Sequence, residues 1–293
     1  TAAAIIMLSE PDVRDIFQAH HVPVFDAATD ACFKMLRAYI DYGKYLQRST
    51  AGTTDRAWTC AGQPAAETIL RAHSGLPMLP QAATTELLGL YGFECAESLA
   101  ASSGDGAEAA AVKIGYPVIA KAMVPNIPHR SDVGLVSGKV SDLAELRQAF
   151  SMLQAKVRAL ARSNVTVSVE KFVPHDLEVI LGVKYDATFG PVILCGLGGI
   201  FTEVLNDYAL RLAPLTQMDA EDMLSSLKAF PVLRKSSAHL KSLTDALLRL
   251  SDLAVDLNGQ INAVDINPIG LSTDSSETTV LDAKIHLREI VEG

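Results

Sequence analysis

At 293 residues, 49% hydrophobic and 20% charged, the chain has material for two domains, or for one with two lobes. Its net charge of −9 and the lack of any basic run exclude nucleic acid as the main partner, while leaving room for a nucleotide site that is positive only locally. Four scattered cysteines, without a CxxC pair or a histidine at zinc spacing, read as reduced thiols of a cytoplasmic protein, and no apolar stretch reaches the ~18 residues that span a membrane.

Residues 1–50 read as a small α/β unit. The chain opens on Thr1, not on Met, with a strand-like start, so it is expected to be a piece of something longer. Asp12–His20 predicts a short helix and Val22–Phe25 a strand. Thr29 or Asp30 caps a helix to Arg48 with Phe33, Leu36, Ile40 and Leu46 on one face. This is the final portion of a doubly wound sheet. Residues 51–75 are expected to act as a linker: Ser49–Ala65 is polar and rich in Gly and Thr, and a helix near Ala65–His73 precedes a break at Gly75–Pro80.

From residue 76 to 293 helices and strands alternate. Thr84–Tyr91 and Glu108–Ile114 predict helices that end at Gly92 and Gly115, and Pro117–Ala122 and Val133–Val140 predict strands. Asp142, with Glu145 three residues on, has the spacing of a capping box and opens a long helix with an apolar stripe from Leu143 to Leu160. Strands follow at Val165–Val173, Leu177–Val183, Val192–Leu197 and Leu210–Ala213, then helices at Asp219–Phe230 and Ser242–Leu257, the last closed by Asn258-Gly259. Several strands without intervening helices imply an α+β lobe beside the α/β pattern.

The chemistry-bearing residues cluster at strand ends. Val264–Ile266 and Val280–Leu281, joined through the polar turn Asp274–Glu277, predict a hairpin with Asp265, Asn267 and Asp282 at one mouth. A carboxylate and an amide are hard oxygen donors that suit magnesium, though an acidic hairpin is also what a solvated turn looks like. Lys121, at the end of an apolar strand, either meets phosphates or faces water at an edge. Glu170 and Glu178 flank the turn Val173-Pro174-His175 and are either exposed strand-end acids or acceptors for ribose hydroxyls, with the backbone at Lys171–Val173 facing an adenine edge. Gly196-Leu197-Gly198-Gly199 offers unobstructed amides to phosphate, or is only a turn. His129, in a polar loop held by Pro125 and Pro128, is either solvated or a nucleophile for a phosphoryl group, with Arg130, Ser131 and Asp132 to orient it. The other histidines, His175 among them, have no supporting cluster and are assigned no role.

Taken together, residues 76–293 resemble the ATP-grasp part of the NDP-forming (ADP-forming) acyl-CoA synthetases, in the succinyl-CoA synthetase superfamily. The likeness is carried in order by Gly115–Lys121, His129–Gly134, Phe189–Phe201, Arg211–Pro214, Asp265–Pro268 and Leu281–Lys284. Residues 1–50 look like the tail of the CoA-ligase domain that precedes ATP-grasp in single-chain members. The resemblance implies a two-lobed ATP-grasp fold. By motif match, Lys121 holds ATP phosphates with Arg130, Gly198 and Gly199; Glu170 and Val173 line the adenine pocket; Glu178 binds ribose. Asn267 and Asp282 are the implied Mg2+ ligands, with Asp265 in support, and His129 is the second phosphorylatable histidine. The implied reaction is acid + CoA + ATP ⇌ acyl-CoA + ADP + phosphate, through acyl phosphate and phosphohistidine.

Two positions depart from the pattern of many members: Arg130 stands in place of a lysine, and Leu135 in place of a second glycine. The family's CoA-binding domain and first phosphohistidine lie outside this sequence, so a domain or subunit supplying them is the expected partner, with CoA held mainly there. A homo-oligomer is compatible with the chain, without an interface signature. Three rival readings are a regulatory domain of a protein acetyltransferase, an ATP-grasp carboxylate–amine ligase, which needs no histidine in the 125–134 loop, and a nucleotide-binding module without turnover.

Overall fold

The computed structural model describes residues 62–124, 134–160, 166–198, 207–272 and 278–288, with scattered residues between 5 and 43. The chain divides into two compact units, Thr1–Ala57 and Trp58–Gly293. In the first, strand β1 (Ile5–Ile6) pairs in parallel with β2 (Val24–Phe25), and Asp15, Ile16 and Ala19 between them are helical. Parallel neighbours require a crossover, and helical residues between two short strands supply one.

The second unit begins ahead of helix α1 (Gln63–Ala72), where the sequence reading drew a linker to residue 75. Ala66 and Leu70 of α1 are buried in the larger core, which holds the helix to the domain. The elements that follow are α2 (Gln81–Leu90), β3 (Glu94–Cys95), β4 (Ser98–Ala101), α3 (Gly104–Ile114), β5 (Val118–Ala122), α4 (Leu143–Ala159) and β6 (Val167–Lys171). Then come β7 (Leu177–Asp186), β8 (Gly190–Leu197), β9 (Tyr208–Leu212), α5 (Gln217–Ser225), α6 (Phe230–Leu233), α7 (Ser237–Asp256), β10 (Ile261–Leu271), β11 (Thr278–Val280) and β12 (Ala283–Leu287).

Two sheets with separate cores make two lobes. The small sheet, in the order β4-β6-β5, is antiparallel throughout. Val118, Ala120, Ala122, Val167 and Val169 point to one face and pack with Leu146, Phe150 and Leu153 of α4 and Ala107 and Ala111 of α3. The large sheet runs β3-β11-β10-β7-β8-β9, with β12 on β10. Its β7 residues Val179, Leu181 and Val183 alternate inward against Leu243, Leu247 and Leu250 of α7 and Met223 and Leu224 of α5. Period-two alternation therefore leaves one face of each sheet without a helical cover among the described residues. The candidate residues of β5, β6, β7 and β10 lie on those faces.

The helix ends follow local chemistry. The Glu145 amide donates to Asp142 Oδ1 at 2.9 Å, and Glu145 Oε2 accepts from the Ser141 amide at 2.6 Å, so the reciprocal bond reaches one residue further back than in the usual box. Thr216 and Asp219 form a full capping box on α5.

Three expected elements differ. Within Val133–Val140, the described residues make only isolated bridges, Val136 to Lys121 and Val140 to Val118, because the Ala120 amide donates to Ser137 Oγ where a strand would offer a carbonyl. The helix expected over Asp219–Phe230 divides into α5 and α6, since the Asp207 carboxylate accepts from the Lys228 and Ala229 amides at 2.7 and 2.8 Å. Helix α7 starts at Ser237, ahead of Ser242, on a cap from Ser236. Strands β3 and β4 have no counterpart among the expected elements.

Candidate functional site

The small sheet places Lys121 and Glu170 on its open face. Lys121 is in register with Ser168 and Ala100, and Glu170 with Ile119 and Ser98. Lys121 Nζ lies 2.6 Å from Glu170 Oε2, and their side chains are only 14% and 13% exposed. A pair so far out of water holds only through close charge-assisted contact. The same ammonium donates to the carbonyl of Leu281 at 3.2 Å, tying the small lobe to the residue ahead of Asp282.

The segment from Glu170 to Glu178 connects the sheets. The Lys171 amide donates to Glu97 O, the Phe172 amide to Pro117 O, and Lys171 Nζ to Gly115 O at 2.8 Å. These bonds hold the backbone up to Val173 against β4 and β5. Beyond it, the Asp176 amide donates to Leu271 O, and Glu178 O accepts from the Gly198 amide at 2.8 Å. Gly198 is required there: a Cβ would stand 2.8 Å from that of Glu178. His175 Nδ1 is 2.9 Å from Val173 O, and its Nε2 is 3.0 Å from Glu178 Oε1.

On the large sheet, β10 departs from regular register between Ile266 and Ile269. The Asn267 amide donates to Asp282 O at 2.9 Å, and the Leu281 amide to Pro268 O, so Asn267 and Asp282 sit side by side. Asp265 lies two residues back, between Lys284 on β12 and Gly182 on β7. Burial pushes the Asp265 carboxyl above the usual carboxylate range; Lys284 opposes the rise, Asp282 adds to it, and His286 opposes it. Among the described residues no group of three His, Cys, Asp or Glu side chains is placed to hold a metal. Asn267 is exposed and Asp282 half-buried, so one amide and one carboxylate remain open to solvent. That set fits magnesium, which keeps several waters and completes its shell on phosphates, better than an ion needing an all-protein cage.

The structure thus brings Lys121, Glu170, Val173, Glu178, Gly198, Asp265, Asn267 and Asp282 to the open faces and the segment joining them. His129, Arg130 and Gly199 lie outside the described residues. Sequence reasoning missed His175 and the Leu281 carbonyl. It also missed the pocket behind the site, where Gln81, Thr85, Cys95 and Ser98 meet Glu170 and Asp282. The one available signal was the three-residue spacing of His175 and Glu178 directly after Pro174.

A family model described as an ATP-grasp domain matches residues 71–287. The beta subunit of an ADP-forming acetate–CoA ligase from Pyrococcus furiosus is 34% identical, over 76% of this chain and 97% of that one. A trans-feruloyl-CoA synthase from an unknown prokaryotic organism is 27% identical over 97% of this chain, which spans 44% of that protein. Among solved structures, an acetyl-coenzyme A synthetase of Ca. Korarchaeum cryptofilum superposes with a TM-score of 0.62 at 28% identity, over 77% of this chain and all of that one. It was solved with coenzyme A and Mg-AMPPCP, its phosphohistidine segment pointing towards the nucleotide binding site. With this match over most of its length, on a two-lobed fold, the chain belongs to the ATP-grasp family, as the ATP-grasp part of an ADP-forming acyl-CoA ligase.

Proposed function

We propose that this chain binds Mg-ATP or Mg-ADP between its two sheets and passes a phosphoryl group through His129, in the reversible reaction acid + CoA + ATP ⇌ acyl-CoA + ADP + phosphate. The observation that carries it is the Lys121 bridge, which sets a buried cation between the Glu170 acid and the strand end bearing Asp282. Arriving phosphates compete with Glu170 and Leu281 O for that ammonium, a compact charge with three donors. Glu170 and the backbone at Val173 face the adenine, Glu178 accepts from the ribose, and the loop that opens at Gly198, whose own amide is held by Glu178 O, meets phosphate through Gly199, with Arg130 adding charge. Asn267 and Asp282, supported by Asp265, would hold the magnesium, which when bound neutralises charge developing on the transferred group.

In the forward direction a His129 ring nitrogen attacks the γ-phosphorus of ATP. The bond to the β–γ bridging oxygen breaks, a P–N bond forms, and ADP leaves. The phosphoryl group then passes to the first phosphohistidine and from it to the carboxylate substrate at a second site, where the acyl phosphate is attacked by CoA and phosphate is released. We assign that site to a CoA-binding domain or subunit acting as partner. The alignment with the longer synthase over 97% of this chain, and the parallel β1–β2 pair, support reading residues 1–50 as the end of such a CoA-ligase-like domain, with 51–75 leading into the ATP-grasp domain at 76–293.

The test is incubation with magnesium and γ-labelled ATP, beside His129→Ala. Acid-labile, base-stable label on the wild type alone is expected. Label retained by the variant would move the carrier elsewhere, and failure to bind ATP at all would sink the nucleotide assignment.

A further inference from the structure

We infer that His175 is a positioning residue of the nucleotide site, a ring anchored on the Val173 carbonyl that fixes the acid facing the ribose. The inference rests on the proposed role of Glu178. The ring spans from Val173 O, 2.9 Å from Nδ1, to Glu178 Oε1, 3.0 Å from Nε2, so one side chain ties together the two ends of the turn that links the lobes. Both partners are acceptors. A neutral imidazole donates to one of them, and a protonated one to both.

The ring's own place is set by packing. Gly270 of β10 is in register with Glu178 of β7, and a Cβ on Gly270 would meet His175 Cβ at 3.1 Å and Cγ at 3.3 Å. The bond from the Asp176 amide to Leu271 O pins the turn to the same strand. Glu178 is held from behind, its carbonyl on the Gly198 amide. The His175 and Glu178 side chains are 24% and 35% exposed, so their contact is partly sheltered from competing water. A carboxylate aimed this way meets a sugar hydroxyl without first losing its own rotamer freedom, which is how preorganisation raises affinity.

The test is calorimetric binding of Mg-ADP and of its 2′,3′-dideoxy analogue to the full chain. Wild type is compared with His175→Ala, His175→Gln, His175→Asn, Glu178→Gln and the Ala/Gln double variant. Glu178→Gln is expected to weaken ADP by about tenfold, and His175→Ala by about fivefold, the loss of one or two hydrogen bonds. The dideoxy analogue should be nearly insensitive to both. His175→Ala should add little in the Glu178→Gln background, because its effect acts through that acid. Glutamine carries a donor to the Nε2 position and should recover most of the affinity, whereas the shorter asparagine should not, a contrast that stands even if the alanine variant folds poorly. Equal ADP affinity in His175→Asn, His175→Gln and wild type, with Glu178→Gln impaired, would overturn the role of His175. An unimpaired Glu178→Gln would instead overturn the ribose assignment, and the inference with it.

Discussion

In the proposed site, Lys121 is the residue on which binding and stability meet. Its substitution by alanine leaves the Glu170 carboxylate, whose side chain is only 13% exposed in the intact pair, without its cation, and removes the bond to Leu281 O that joins the lobes. A loss of about 3 kcal/mol is expected, since breaking one half of a largely buried pair strands the other charge. Denaturant midpoints should record it, and ADP affinity should fall in parallel. Replacing both partners with apolar residues is expected to restore much of the stability and none of the binding. The thiols make the opposite case. Burial, with the Glu94 charge adding, pushes Cys95 up to about 11, and burial, with Asp207 adding, pushes Cys195 up to about 12. At pH 8 a thiol like Cys95 is ionised on the order of one part in a thousand, so native protein treated with iodoacetamide should keep both unlabelled by mass spectrometry. Denaturation before treatment should expose both to labelling.

At the scale of elements, capping and register decide where the site residues stand. Helix α4 covers the inner face of the small sheet, and Asp142 holds its first turn. Asp142→Ala is expected to cost about 1 kcal/mol, seen as a lowered Tm, with nucleotide affinity nearly unchanged because the helix lies behind the sheet face that carries Lys121. The divided α5–α6 region shows the reverse relation, a buried side chain overriding helical propensity. Asp207 spends its carboxylate on two amides that a continuous helix would have used internally. In β10 the pairing with β12 and β11 runs in one register past Asn267 and Pro268, which sets Asn267 beside Asp282, while the shift between Ile266 and Ile269 falls on the β7 side.

At the scale of the molecule, the two lobes of Trp58–Gly293 each own a core, and Thr1–Ala57 forms a compact unit of its own. The beta subunit that this chain resembles is covered over 97% of its length by 76% of this chain. A protein comprising 58–293 is therefore expected to fold on its own, with the Tm of the second unit and the ADP affinity of the full chain preserved. Scanning calorimetry and binding on the shortened protein check both. A collapse of either would mean that the first unit supports the second.

The sequence by itself determined the two-lobed α/β and α+β organisation and singled out most of the residues that the proposed site uses. Long apolar alternation, as in Leu177–Val183, and local motifs, as in Asp265–Pro268, carry their information within a few neighbouring residues. The Asp142 cap was legible for the same reason. Strands β3 and β4, of two and four residues, are too short for periodicity to declare them, and their place is set by pairing with β11 and β6. Only the tertiary structure decided that Lys121 reaches Leu281 and that His175 ties Val173 to Glu178. The first contact spans 160 positions of chain, and the second depends on a turn pinned by β10, so neither leaves a mark in the local pattern that a sequence displays.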